Sequence, residues 1–256
     1  MKNFSIRDVA FIGAAGSGAA DASFIDETSL KIRLQGDRGV TIGGVPVVTG
    51  NPLDTWANQV IGEANAVQAT GASQPLWIDA GTPGGRGIIR FDGTNDFLTI
   101  PHGATTNLTN PLTFYAAVKI NDLANFGMLF TKGPNGTNQQ YSHYVTATTG
   151  TITVCGTGGT CHVTNSGALV AGTWYRIIVR WNTSVTQTQI YINAIKRNPT
   201  QSLLTNFAST DAMQIGRRID GLYGEYDLAE AGLFNRNISD AEITALDNYL
   251  VAQYGI

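Results

Sequence analysis

Short runs that alternate apolar and polar residues recur along most of this chain, and they limit what it can fold into. Leu112–Ile120 places Phe114, Ala116, Val118 and Ile120 on one face. Trp174–Trp181 places Tyr175, Ile177, Val179 and Trp181 on one face and Arg176 and Arg180 on the other. A period of two is the strand period, because successive side chains leave a pleated backbone on opposite sides. Further runs follow the same rule: Met128–Thr131, Tyr141–Ala147, Thr151–Val154, Gln189–Ile192, Met213–Gly216 and Leu228–Phe234. Between them lie breakers such as Gly133-Pro134-Asn135-Gly136. Many short strands at hairpin spacing predict an all-β, two-sheet antiparallel sandwich.

Ile88–Ile100 reads I-I-R-F-D-G-T-N-D-F-L-T-I. Asp92-Gly93 suits a reversing backbone, since Asp bonds its own backbone and Gly accepts positive φ. The expectation is a hairpin of Ile88–Phe91 with Asp96–Ile100. One helix is expected, at the C-terminus. Ser239 and Glu242 form a capping box, Ile243 and Leu246 continue at helical spacing, and Gly255 ends it. It should clasp the sandwich.

Residues 1–44 read differently from the rest. Phe11–Ala22 is rich in Gly, Ala and Ser, while Leu30–Leu34 and Val40–Ile42 flank the turn Gly36-Asp37-Arg38-Gly39. This segment is expected to be an N-terminal arm or hairpin, and residues 45–256 the globular domain. A lone hairpin is marginal in water, so it either joins the main sheet or attaches the domain to something larger. Val9–Ala20 is too interrupted by Gly and Ser for a secretory signal, and a flexible or docking arm is preferred.

Composition narrows the function classes. Charged residues are 14% of the chain, against roughly 25% in an ordinary soluble domain. Surface polarity then falls to Thr, Asn, Gln and Ser, which suits an extracellular or particle-bound protein. A net charge of −3 offers no field for a phosphate backbone, so nucleic acid is not an expected partner. No apolar stretch approaches the ~20 residues that span a bilayer, so membrane insertion is not expected. Cys155 and Cys161 flank a glycine-rich loop where a local disulfide is geometrically feasible.

Taken in order, several segments resemble the laminin-G-like, concanavalin-A-like jelly rolls of bacterial and phage type. They are Asp54-Thr55-Trp56-Ala57, Ile89–Leu98, Trp174-Tyr175-Arg176-Ile177, Ile190-Tyr191-Ile192-Asn193 and Ile215-Gly216. Leu228-Ala229-Glu230, Phe234-Asn235-Arg236, the Ser239–Glu242 cap and Tyr254-Gly255 complete the series. It covers residues 45–256. Ala194 departs from the family, which usually has glycine after Asn193.

The resemblance implies a jelly roll used for glycan binding, adhesion or assembly, in some members with a structural calcium. Candidate calcium ligands are Asp92, Asp96 and Glu230, with Asn95 as an addition. The competing reading makes Asp92 a turn residue and Asp96 a backbone acceptor. Candidate sugar-stacking residues are Tyr141, Tyr144, Tyr223 and Tyr226. Glu225-Tyr226-Asp227-Leu228-Ala229-Glu230 also fits the E-x-D-x-x-E motif of laminarinase-type hydrolases on this fold. A bulge would be needed to bring Glu230 to the face of Glu225 and Asp227, and a non-enzymatic role is expected. The leading expectation is a virion component, either a capsid decoration or a tail or fibre protein. Its arm would engage capsid or tail proteins and its domain would be displayed at the virion surface, reaching host-surface glycans. The alternative is a secreted or surface carbohydrate-binding module. Homo-oligomerisation stays open.

Overall fold

The computed structural model describes residues 28–109, 111–134, 139–156, 161–164, 169–181, 188–197 and 209–256. The chain opens with β1 (Leu30–Gln35), β2 (Val40–Ile42), β3 (Val45–Pro46), β4 (Thr55–Trp56) and β5 (Ala66–Val67). Next come β6 (Leu76–Ile78), β7 (Ile88–Asp92), β8 (Leu98–Ile100), β9 (Leu112–Ile120) and β10 (Gly127–Lys132). Then follow β11 (Tyr141–Val145), β12 (Ile152–Cys155), β13 (Cys161–Val163), β14 (Trp174–Trp181) and β15 (Gln189–Ile192). The last strands are β16 (Ile195–Arg197), β17 (Met213–Ile215), β18 (Arg217–Arg218), β19 (Leu222–Tyr223) and β20 (Glu225–Phe234), ahead of helix α1 (Asp240–Tyr254).

The strands build two antiparallel sheets. One runs β16-β15-β14-β9-β20-β7-β6, with β1 also pairing β20; the other runs β13-β12-β11-β10-β17-β8-β5-β4-β2-β3. β18 and β19 form a small separate ribbon. The faces that alternate apolar in sequence meet between the sheets, where Phe91, Ile100, Phe114, Val118, Ile177, Val179, Trp181, Tyr226 and Leu228 are buried together. α1 covers the other face of the first sheet. Ile243, Leu246, Tyr249, Leu250 and Tyr254 pack there against Tyr115, Ala117, Ile178 and Phe234. Strand β9 is therefore buried on both faces, which its Tyr115 and Ala117 permit. The helix begins with the expected reciprocal cap: Ser239 Oγ accepts from the Glu242 N–H at 3.2 Å, and Glu242 Oε2 accepts from the Ser239 N–H at 2.7 Å. It ends at Gly255 with φ 68°.

Two expectations about connectivity are corrected. Ile88–Phe91 and Leu98–Ile100 do not pair as a hairpin. β7 lies in the first sheet beside β20 and β6, while β8 lies in the second beside β17 and β5, so the Asp92 turn crosses between sheets. Likewise, β1 and β2 are not a hairpin. β1 pairs with β20 from Leu30↔Phe234 to Gln35↔Glu230, whereas β2 joins the second sheet through β4 and β3. Among the described residues the sandwich therefore begins at Leu30, ahead of the expected boundary at residue 45, and residues 1–27 of the expected arm lie outside the described residues. Two tryptophans hold this junction: Trp56 Nε1 donates to Gln35 O at 2.8 Å and Trp77 Nε1 to Gly36 O at 2.6 Å. Cys155 and Cys161 are register partners on β12 and β13 and are disulfide-bonded. Among the described residues no helix is long and apolar enough to cross a membrane.

Candidate functional site

The turn between β7 and β8 is built by one side chain. Asp92 Oδ1 accepts the N–H groups of Thr94, Asn95 and Asp96 at 2.8, 3.1 and 3.2 Å, and Gly93 takes φ 72°. Asp96 answers by accepting the Asp92 N–H on Oδ2 at 3.1 Å. Both aspartates thus do the backbone work that their turn reading requires. They also line an open cleft of about 400 Å³, together with Leu76, Arg90, Phe91, Asn121 and Glu225.

The third carboxylate arrives by register, because Glu225 at the start of β20 is the direct cross-strand partner of Asp92. Like charges placed opposite one another repel. Burial, then the charge of Asp92, pushes the Asp96 carboxyl up to about 7, against the pull of the Asp92 N–H. Burial also raises Glu225, helped by Asp122, Asp92 and Asp227 and opposed by Arg90. Asp96 is therefore partly protonated near neutrality, able to donate as well as accept hydrogen bonds.

Beneath the cleft sits Asp227, with no exposed surface. It takes Arg90 bidentately at 2.7 and 3.0 Å, Lys119 Nζ at 2.8 Å and Asn121 Nδ2 at 3.0 Å. Burial pushes its carboxyl up, but these donors outweigh burial and leave it below the usual carboxylate range. One buried carboxylate thereby fixes two groups of the lining, Arg90 and Asn121.

The bulge that the E-x-D-x-x-E reading required is present, as a register shift between Leu228 and Glu230 against β9. Asp227 now pairs with Lys119 and Glu230 with Ala117, so the three acids share the face that α1 partly covers. Only Glu225 reaches the cleft. Glu230 is fully buried beneath the helix. Its two oxygens accept from Arg33 Nε (3.1 Å), Gln35 Nε2 (3.3 Å), Tyr115 Oη (2.9 Å), Tyr249 Oη (2.8 Å) and Tyr254 Oη (2.6 Å).

That arrangement corrects Glu230 as a calcium ligand, since its lone pairs face protein N–H and O–H donors. Asp92 Oδ1 and Asp96 Oδ2 are likewise committed to backbone N–H groups. Among the described residues no three His, Cys, Asp or Glu side chains converge as a metal-holding group. Calcium wants six to eight oxygens, and this donor set does not fit it.

The candidate tyrosines separate into two pairs. Tyr141 and Tyr226 are corrected: both are fully buried and point between the sheets. Tyr141 Oη donates to Thr106 O at 2.8 Å, and Tyr226 Oη donates to Met128 O at 2.7 Å. Neither has a ring face for a ligand. Tyr144 and Tyr223 are half-buried. Tyr144 packs edge-on to Phe126, while Tyr223 lies beside Arg217 and two residues before Glu225. Sequence reading missed Leu76, Arg90, Phe91 and Asn121 as cleft residues. The usable signal was Arg90, a lone charge in an otherwise apolar run.

Residues 92–244, more than half the chain, match the laminin-G-like family model described as the concanavalin A-like lectin/glucanases superfamily. The chain belongs to that superfamily. No curated protein matches it in sequence. Among solved structures, it is similar to the binding domain of Paraclostridial Mosquitocidal Protein 1, with TM-score 0.61, 14% identity, and coverage of 87% of this chain and 52% of that one. It is also similar to Trypanosoma rangeli sialidase (TM-score 0.59, 14% identity, 88% and 33% coverage). The botulinum neurotoxin serotype D binding domain gives TM-score 0.57, 11% identity, and 87% and 51% coverage. The chain spans about half or less of these structures, and at such identities the likeness is one of fold.

Proposed function

We propose that this superfamily member is a non-catalytic, lectin-like recognition module that binds glycan in the Asp92–Asp96–Glu225 cleft. The observation that carries this reading is the cleft's mixed lining. Leu76 supplies apolar surface, Arg90 and Asn121 are donors fixed from below by Asp227, and the three carboxyls accept, with Asp96 also able to donate. A sugar ring presents apolar C–H patches with hydroxyls that donate and accept, and fixed polar groups beside an apolar contact suit it. The Cys155–Cys161 disulfide supports an oxidising, extracellular setting.

The non-catalytic part rests on accessibility. A retaining glycosidase needs two carboxyls about 5–5.5 Å apart at the scissile bond, and here Asp227 and Glu230 are sealed from solvent. Turnover of a β-glucan that disappears in Glu225→Gln and in Glu230→Gln would overturn it. For binding, a glycan array with the intact protein should reveal a restricted set of ligands. Asn121→Ala and Glu225→Gln should each weaken that set about tenfold or more while leaving the fold intact, a loss of roughly 1.4 kcal/mol. A blank array from folded protein would sink the reading. Display on a virion, as capsid decoration or tail or fibre protein, is a second reading. With β1 and β2 built into the sheets, residues 1–27 are what is left to attach it.

A further inference from the structure

A second group of side chains adjoins the cleft in sequence at both ends. Phe97 follows Asp96, and Tyr223 precedes Glu225 by two residues. Between them lies Arg217, register partner of Tyr223 in the β18–β19 ribbon. Gly216, at φ 91°, turns the chain into that ribbon, and a Cβ there would come within 2.5 Å of Phe91 and 2.8 Å of Asp96 O. The backbone must therefore pass close, and Arg217 emerges over the Phe97 ring.

The guanidinium carbon of Arg217 sits 3.5 Å from the Phe97 centroid and 6.0 Å from that of Tyr223. Its Nε donates to Gln214 Oε1 at 2.9 Å, and its Nη1 reaches Tyr223 Oη at 3.5 Å. Its neighbour Arg218 is ion-paired with Asp220 at 2.7 Å. Among the described residues Arg217 has no carboxylate partner and its Nη2 donors meet no acceptor. An arginine stacked on a ring and fixed at Nε has already lost most of the rotamer freedom that binding would cost. Planar, unpaired N–H groups in that state match a carboxylate.

We propose that Phe97, Arg217 and Tyr223 form a subsite for the carboxylate of an acidic sugar residue, with Arg217 pairing the anion and the Tyr223 ring contacting the sugar. This rests on the lectin reading, because the ring surfaces and the adjoining cleft favour a saccharide over a bare anion.

The test uses the intact protein, a hexuronate oligosaccharide, the same oligosaccharide after carboxyl reduction, a neutral glycan panel and poly-glutamate. Wild type should bind the hexuronate at least tenfold more tightly than its reduced form, and added salt should shrink the gap. Arg217→Gln should remove the preference while leaving neutral binding within about twofold. Arg217→Lys should restore part of it, since a point charge remains without the planar fork. If no glycan binds at all, the lectin reading falls and this subsite with it. If neutral glycans bind but the hexuronate preference is missing, or survives in Arg217→Gln, only the subsite falls. Equal, Arg217-dependent binding of poly-glutamate would make it a general anion patch and overturn the sugar assignment.

Discussion

Two single residues carry consequences that can be measured directly. Asn193 and Ala194 form the two-residue turn between β15 and β16, and both have positive φ, 49° and 63°. Such turns favour Asn-Gly, and Ala in the left-handed region costs roughly 1–2 kcal/mol. Ala194→Gly should relieve that strain, less the entropy that glycine adds to the unfolded chain. A net gain of about 0.5–1 kcal/mol would raise Tm by roughly 1–4 °C; an unchanged or lower Tm would show that the turn is not strained. His143 is the other case. It is buried between the sheets near Phe114 with neither ring nitrogen bonded to any described residue, and burial lowers its pKa from 6.5 to about 3. Below pH 6.5 the unfolded chain takes up a proton that the folded chain refuses until about pH 3. Stability is therefore fully present above 6.5 and falls as pH drops across that window, by at most about 1.4 kcal/mol per pH unit from this residue. Denaturant unfolding of His143→Leu should show a shallower decline between pH 6.5 and 4 than wild type. Parallel declines would refute the assignment. At this scale the sequence is informative about alternation but not about which face turns inward: Tyr141, His143 and Val145 lie on the face of β11 that turns toward Phe114, and only the opposing sheet decides that they are core.

At the scale of elements, Glu230 ties β1, β9, β20 and α1 through Arg33, Gln35, Tyr115, Tyr249 and Tyr254. Glu230→Gln keeps the shape but removes the charge. It leaves the largely buried Arg33 without its counter-ion and forces an amide N–H toward hydroxyl donors. Breaking a buried ion pair typically costs about 3–5 kcal/mol, so a Tm loss of roughly 6–20 °C is expected by thermal melt. A loss under 2 °C would mean the network does not clasp the helix. The capping box of α1 was legible because its signal is local: Ser and Glu act within one turn. The clasp was not, because the donors that surround Glu230 come from distant parts of the chain. The β7–β8 connection misled for the same reason. Asp92 and Gly93 specify a turn, but a turn between paired strands and one crossing to the other sheet have the same residues, and the choice is made by β20 and β17.

For the molecule as a whole, the sandwich of the described residues reaches back past residue 45 to Leu30. β1 contributes Ile32 and Leu34 to the inter-sheet core, Leu30 to the helix side, and Arg33 and Gln35 to Glu230. Removing it would expose that apolar surface and leave a buried carboxylate short of two donors. Residues 1–27 precede these contacts, so the two functions once assigned to residues 1–44 can be separated by truncation. A chain beginning at Thr28 should melt within about 2 °C of the full-length protein and keep its glycan preferences, whereas one beginning at Asp37 should fail to fold or lose several kcal/mol. If the protein serves as a virion component through its N-terminus, the chain beginning at Thr28 should also stop incorporating into particles while remaining folded. Normal incorporation of that chain would remove the attachment role from residues 1–27, and with it the support they lend the virion reading. Equal stability of the two truncations would instead place β1 outside the cooperative fold and restore the boundary at residue 45.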